Sequence, residues 1–140
     1  MRRLALPLGL VLGFVVAGSV SGANTTAFTG EWIGNDPAFP NGDARLYVKG
    51  GTHANLKVSG QFGSDCTDTG AITDFVLMKL TGEVDQDTLT ATIRMARCGS
   101  VQLHALHGQT MLLFLDRGPT DDPADDTLED PNRGVTWHRV

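Results

Sequence analysis

The sequence predicts an all-β protein, an antiparallel up-and-down barrel of eight strands. Three observations lead there. Beyond residue 23 the apolar residues recur with a period of two, the spacing of strands with one buried face. Turn-forming residues interrupt these runs at intervals of about 10–14 residues, which suits short strands joined by tight turns. No stretch of about a dozen residues carries the spacing of an amphipathic helix. Consecutive strands with short links favour a meander, and closing it into a ring removes exposed strand edges. With 17 Gly and 6 Pro in 140 residues the chain is turn-rich, but short of a low-complexity or collagen-like composition. Its length suits one domain and argues against multi-domain and coiled-coil architectures.

Residues 1–23 come first and read as a secretory signal peptide. Arg2 and Arg3 supply the positive start, and Leu4 to Val16 is an almost unbroken apolar stretch. Ser21-Gly22-Ala23 provides small residues before a cut at Ala23/Asn24. The apolar run from Leu4 to Ala17 has 14 residues, below the roughly 20 that span a bilayer as a helix. Residues 24–140 then form a single β-barrel domain.

The first strand opens at Phe28-Thr29-Gly30-Glu31-Trp32. Pro40-Asn41-Gly42-Asp43 turns the chain into a second strand, where Leu46 and Val48 alternate with polar neighbours. Gly50-Gly51 leads to a third, with Leu56 and Val58. Phe75 to Leu80 is an apolar run broken only by Lys79, and the strand it begins extends to Val84. Asp85-Gln86-Asp87 then makes a hairpin turn into Thr88 to Arg97. There Leu89, Ala91, Ile93 and Met95 mark one face, and Thr88, Thr90, Thr92 and Arg94 the other. Gly99 and Gly108 punctuate the next segment, which places His104 and His107 on a strand with opposed side chains. Met111 to Leu115 is a continuous apolar run. Pro131-Asn132-Arg133-Gly134 closes the last hairpin before Val135 to Arg139. The longest irregular segments are 60–70 and 118–125.

Signal cleavage removes two of 11 Lys+Arg and none of 16 acids, leaving 117 residues with a net charge of −7. No run of basic residues stands out, so the sequence offers no footprint for nucleic acid and none for an anionic membrane. An export signal implies an oxidising compartment, so Cys66 and Cys98 are expected to form a disulfide. A loop of about 30 residues closed in this way stabilises by roughly 3–4 kcal/mol in the chain-entropy model.

The pairing of Gly30-Glu31-Trp32 at the start with Trp137-His138-Arg139 at the end resembles the calycin barrels, among them lipocalins and avidins. That resemblance implies that Trp32 plugs one end of the barrel and that Arg139 packs across its indole. The physics agrees: a tryptophan buries a large area, and a guanidinium stacks well on its face. The whole pattern is most similar to a group of small exported bacterial β-barrel proteins of unassigned function. These share the Gly-x-Trp start, two central cysteines and a Gly-Val-Thr-Trp-x-Arg ending, here Gly134 to Arg139. Periplasmic inhibitors of bacterial metalloproteases resemble the chain in size and cysteine count. The two tryptophans are both accounted for at the barrel ends, which argues against a biotin site of the avidin kind.

Among chemistry-bearing residues the acidic stretch stands out. Seven of the 16 acids lie between Asp116 and Asp130. Asp121, Asp122, Asp125 and Asp126 are the candidate binding residues. Their spacing does not match an EF-hand loop, and a solvated acidic turn is the plainer reading, so no metal and no cofactor is expected. His104 and His107 do not have the alternate spacing of a strand-borne zinc pair. No Gly-x-Ser-x-Gly elbow and no phosphate-cradling loop is present. The expectation is therefore a secreted, periplasmic or extracellular module that binds a small molecule or an exported protein and catalyses nothing. The alternative is a proteinaceous inhibitor of an exported hydrolase, acting through a loop or its N-terminal arm.

Overall fold

Alternation along the chain becomes an inside and an outside. In β2 (Ala44–Lys49) Ala44, Leu46 and Val48 are buried while Arg45, Tyr47 and Lys49 are exposed. β3 (Ala54–Gly60) buries Ala54, Leu56 and Val58 in the same way. The computed structural model describes residues 25–37, 43–50, 53–61 and 76–140. The strands complete themselves with β1 (Gly30–Gly34), β4 (Val76–Asp85), β5 (Thr88–Cys98), β6 (Val101–Gln102), β7 (Thr110–Asp116), β8 (Thr127–Asp130) and β9 (Val135–Arg139).

Eight of these strands close a ring. The order runs β1, β2, β3, β4, β5, β7, β8, β9, every pairing is antiparallel, and β9 returns to β1 through Trp32 opposite Arg139. The two-residue β6 lies outside the ring, folded back on the end of β5. The protein is thus a closed eight-stranded antiparallel barrel, and closure leaves the ring strands without a long free edge. The signal segment, the turn at Pro40-Asn41-Gly42, Gly51, Phe75 and most of the 60–70 segment with Cys66 lie outside the described residues.

The barrel interior is apolar. Trp32, Trp137, Phe28, Leu46, Met78 and Leu89 are among the largest fully buried side chains, and all the described buried apolar residues join in one cluster. Gly34 faces this core where β1 and β9 meet. A Cβ there would stand 2.7 Å from Trp137 Cε3 and 2.9 Å from Val135 Cγ1, so only glycine lets the indole of β9 lie against β1.

Two expectations need correction. The alternation on β5 slips by one residue beyond Ile93: Met95 is only half-buried and Ala96 takes the inner position. The cause is a β-bulge. Leu80 pairs with Ile93 and Lys79 with Met95, so Arg94 is the extra residue on β5. Secondly, His104 and His107 do not lie on a strand. His104–Leu106 is a 3-10 turn, and both histidines are exposed. Gly99 at φ 55° and Gly108 at φ 83° turn the chain tightly on either side, which suits a compact excursion between β5 and β7.

Candidate functional site

One end of the barrel is closed by the Thr25–Phe28 turn and the end of β9. The 3-10 turn Thr25–Phe28 brings the Phe28 carbonyl to the Trp32 indole Nε1, which donates to it at 2.9 Å. The Arg139 guanidinium lies over the same ring, 4.1 Å from its centre. Its Nε donates to the Pro123 carbonyl at 2.9 Å, and its two terminal nitrogens to Thr29 at 2.8 Å and Ala27 at 2.7 Å. Gly30 sits beside it at φ 136°, where a Cβ would stand 3.0 Å from the guanidinium. A planar cation with several donors can both cover an indole and tie three backbone segments, which an ammonium cannot do. This end is a structural closure.

The acidic segment is drawn into that closure. Asp126 is buried; it accepts from the Gly118 amide at 3.3 Å and lies 3.9 Å from Arg139. Asp122 caps the 3-10 turn Pro123–Asp125 by accepting from the Ala124 amide at 3.0 Å. Asp125 accepts from the Thr120 hydroxyl, and Asp121 is exposed. The four carboxylates therefore organise a loop and do not converge on one point. Among the described residues no group of three His, Cys, Asp or Glu side chains is placed to hold a metal ion. Asp130, at the end of β8, is buried and accepts from the Arg133 backbone at 3.2 Å and its guanidinium at 3.4 Å. Burial raises its pKa above the ordinary carboxylate value, against the opposing pull of Arg133. Cys98 is buried at the end of β5.

The sequence showed no basic run, yet the fold assembles a basic wall. Outward positions on β2 to β5 carry Arg45, Lys49, Lys57, Lys79, Arg94 and Arg97. Tyr47 pairs with Lys57 across β2 and β3, and Lys57 pairs with Lys79 across β3 and β4. Direct cross-strand neighbours stand about 5 Å apart at Cβ, and like charges so placed repel. Arg94 on β5 lines the same groove beside them. Lys57 rests near the Tyr47 ring, 5.7 Å from its centre.

Ion pairing sets these cations apart. Arg117 pairs with Asp87, Arg133 with Asp130, Arg139 with Asp126, and Arg45 at the edge of the wall with Glu31. Among the described residues no carboxylate pairs with Lys57, Lys79 or Arg94. Two shallow grooves flank them. One, of about 270 Å³, is lined by Tyr47, Asn55, Lys57, Lys79, Thr81 and Arg94, with Leu56 and Leu80. The other, of about 400 Å³, is lined by His53, Thr81, Gly82, Glu83, Thr90, Thr92 and Arg94. Thr81 and Arg94 belong to both, so the two form one bent trough on the outer wall. It gathers cations with no carboxylate partner among the described residues at one end and threonine hydroxyls at the other.

Sequence reasoning missed this site because its residues come from four strands. A partial signal was present. Counting back from the Asp85/Thr88 hairpin puts Lys79 opposite Arg94, but nothing in the sequence sets Lys57 beside them. No family model, no curated protein and no solved structure matches the chain.

Proposed function

We propose that the protein is an exported, non-enzymatic binding module that takes an anionic ligand or partner on the outer wall of its barrel. One observation carries this reading: Lys57, Lys79 and Arg94 stand together around a groove of about 270 Å³, with no carboxylate partner among the described residues. In a chain with 16 acids, none of the described ones is spent on neutralising this cluster. A bound anion relieves the repulsion and gains charge-assisted hydrogen bonds.

Residues 1–23 are cleaved as a signal peptide in this reading, and the processed chain works in the periplasm or outside the cell. Cys66 and Cys98 pair there. The Trp32–Arg139 arrangement supports kinship with the calycin-like exported barrels. The inhibitor alternative is weaker. Cleavage after Ala23 leaves only Asn24 ahead of the Thr25–Phe28 turn, and Arg139 ties that turn to the barrel end, so no free arm remains. The closest approach of a histidine to a carboxylate among the described residues is His53 to Glu83 at 3.7 Å. Both side chains are exposed, a poor setting for a general base.

The test is retention on an immobilised polyanion such as carboxymethyl dextran at low salt. A uniformly acidic protein with charge −7 flows through. The basic wall predicts retention, lost in the double variant Lys57→Glu/Lys79→Glu and kept in Arg117→Glu. Flow-through of the wild type rejects the reading.

A further inference from the structure

The two grooves differ in chemistry, and the difference narrows the ligand. Lys57 and Lys79 bound the first lobe together with Asn55 and the part-exposed Tyr47. The second lobe has Thr90 and Thr92 on β5 facing Glu83 on β4, with Glu83 the direct cross-strand partner of Thr90. An evenly charged polyanion laid along both lobes would bring negative groups against the Glu83 carboxylate. A ligand charged at one end and hydroxylated at the other meets no such conflict. Its acid sits on the lysines, and its hydroxyls donate to Glu83 and exchange hydrogen bonds with the threonines.

We infer that the trough binds a short acidic oligosaccharide, with a uronate in the Tyr47–Lys57–Lys79 lobe and neutral sugars running past Arg94 over Thr90 and Thr92. This deepens the outer-wall reading above and rests on it. Three features fit that class. The carboxylate of the uronate meets two ammonium groups and a guanidinium. Tyr47, Leu56 and Leu80 in the lining supply apolar surface for sugar C–H groups. The two lobes adjoin through Thr81 and Arg94, so a chain of sugars can leave the lysines and run along β5 over Thr92 and Thr90. Arg94 joins the lobes, because its side chain lines both grooves. Together the grooves have the size of an ordinary ligand site, which runs to about 300–1,000 Å³.

The experiment is calorimetric titration of the processed protein with four probes. These are a xylotetraose bearing one glucuronate, plain xylotetraose, free glucuronate and tetraglutamate. The glucuronate-bearing tetrasaccharide is expected to bind at least 10-fold more tightly than each of the other three. Lys79→Gln should weaken it about 10-fold. Thr92→Val should weaken it about threefold while leaving the weak binding of free glucuronate unchanged, which separates the second lobe from the first. Circular dichroism and thermal unfolding establish that both variants fold. If tetraglutamate binds as tightly as the acidic tetrasaccharide and Lys79→Gln abolishes both, the sugar assignment falls and the outer-wall reading stands. If plain xylotetraose binds as well as the acidic form, the uronate assignment falls. If no probe binds and the protein also passes unretained through the polyanion matrix, both proposals fall.

Discussion

Replacing Arg139 by alanine tests the sealed end of the barrel. The side chain donates to three backbone carbonyls at 2.7–2.9 Å and covers the Trp32 ring at 4.1 Å. Hydrogen bonds to a charged donor contribute about 1.5–3 kcal/mol each when shielded. The guanidinium is partly exposed, and the freed carbonyls regain some water, so about 1 kcal/mol apiece with about 1 kcal/mol for the ring contact is the better figure. These terms overlap, and the expected loss is about 3 kcal/mol. For a domain of this size that lowers Tm by about 10 °C. Urea unfolding followed by tryptophan fluorescence reads it directly, because Trp32 and Trp137 are both buried. Arg139→Lys keeps the charge over the indole but cannot reach three carbonyls, so it should lose about 2 kcal/mol. The Asp126 contact is long at 3.9 Å, and a double-mutant cycle between Arg139→Ala and Asp126→Asn should couple by under about 0.5 kcal/mol. A total loss below about 1 kcal/mol for Arg139→Ala would show that the turn and β9 hold the end without it, and the closure argument would fail.

Gly34→Ala drives a methyl to within 2.7 Å of the Trp137 ring and should cost about 1–3 kcal/mol by overpacking; an unchanged urea midpoint would contradict the close approach. Asp130 has a pKa raised by burial, so the folded state binds its proton more tightly than the unfolded state does. Its contribution is greatest below the ordinary carboxylate value of 3.8 and falls as pH rises through the folded pKa. Wild type should therefore lose stability relative to Asp130→Asn as pH climbs from 3 toward neutrality, and parallel stability curves would refute this. If Cys66 and Cys98 pair as proposed, the protein titrates no free thiol, and Cys98→Ala costs about 2–5 kcal/mol. Two reactive thiols under denaturing conditions would remove the Cys66–Cys98 pairing.

Which residues of β2 and β3 turn inward is legible in the chain alone. Side-chain direction alternates with every residue of a strand, so the buried set of β2 and β3 is local information. Tight turns are local too, which is why Asp85-Gln86-Asp87 and Pro131-Asn132-Arg133-Gly134 identify their hairpins. The meeting of Trp32 with Arg139 was foreseeable because the first and last strands of a closed ring must be neighbours. The tertiary structure decided the rest. A bulge costs nothing visible in composition, yet it moved Met95 off the inner face and brought Ala96 onto it. Asp121, Asp122, Asp125 and Asp126 form a cluster in sequence but disperse in space, because caps and the Arg139 closure take up their oxygens separately. Lys57, Lys79 and Arg94 do the opposite. They are scattered in sequence and gathered by strand register, a property of pairs of strands that no single strand encodes.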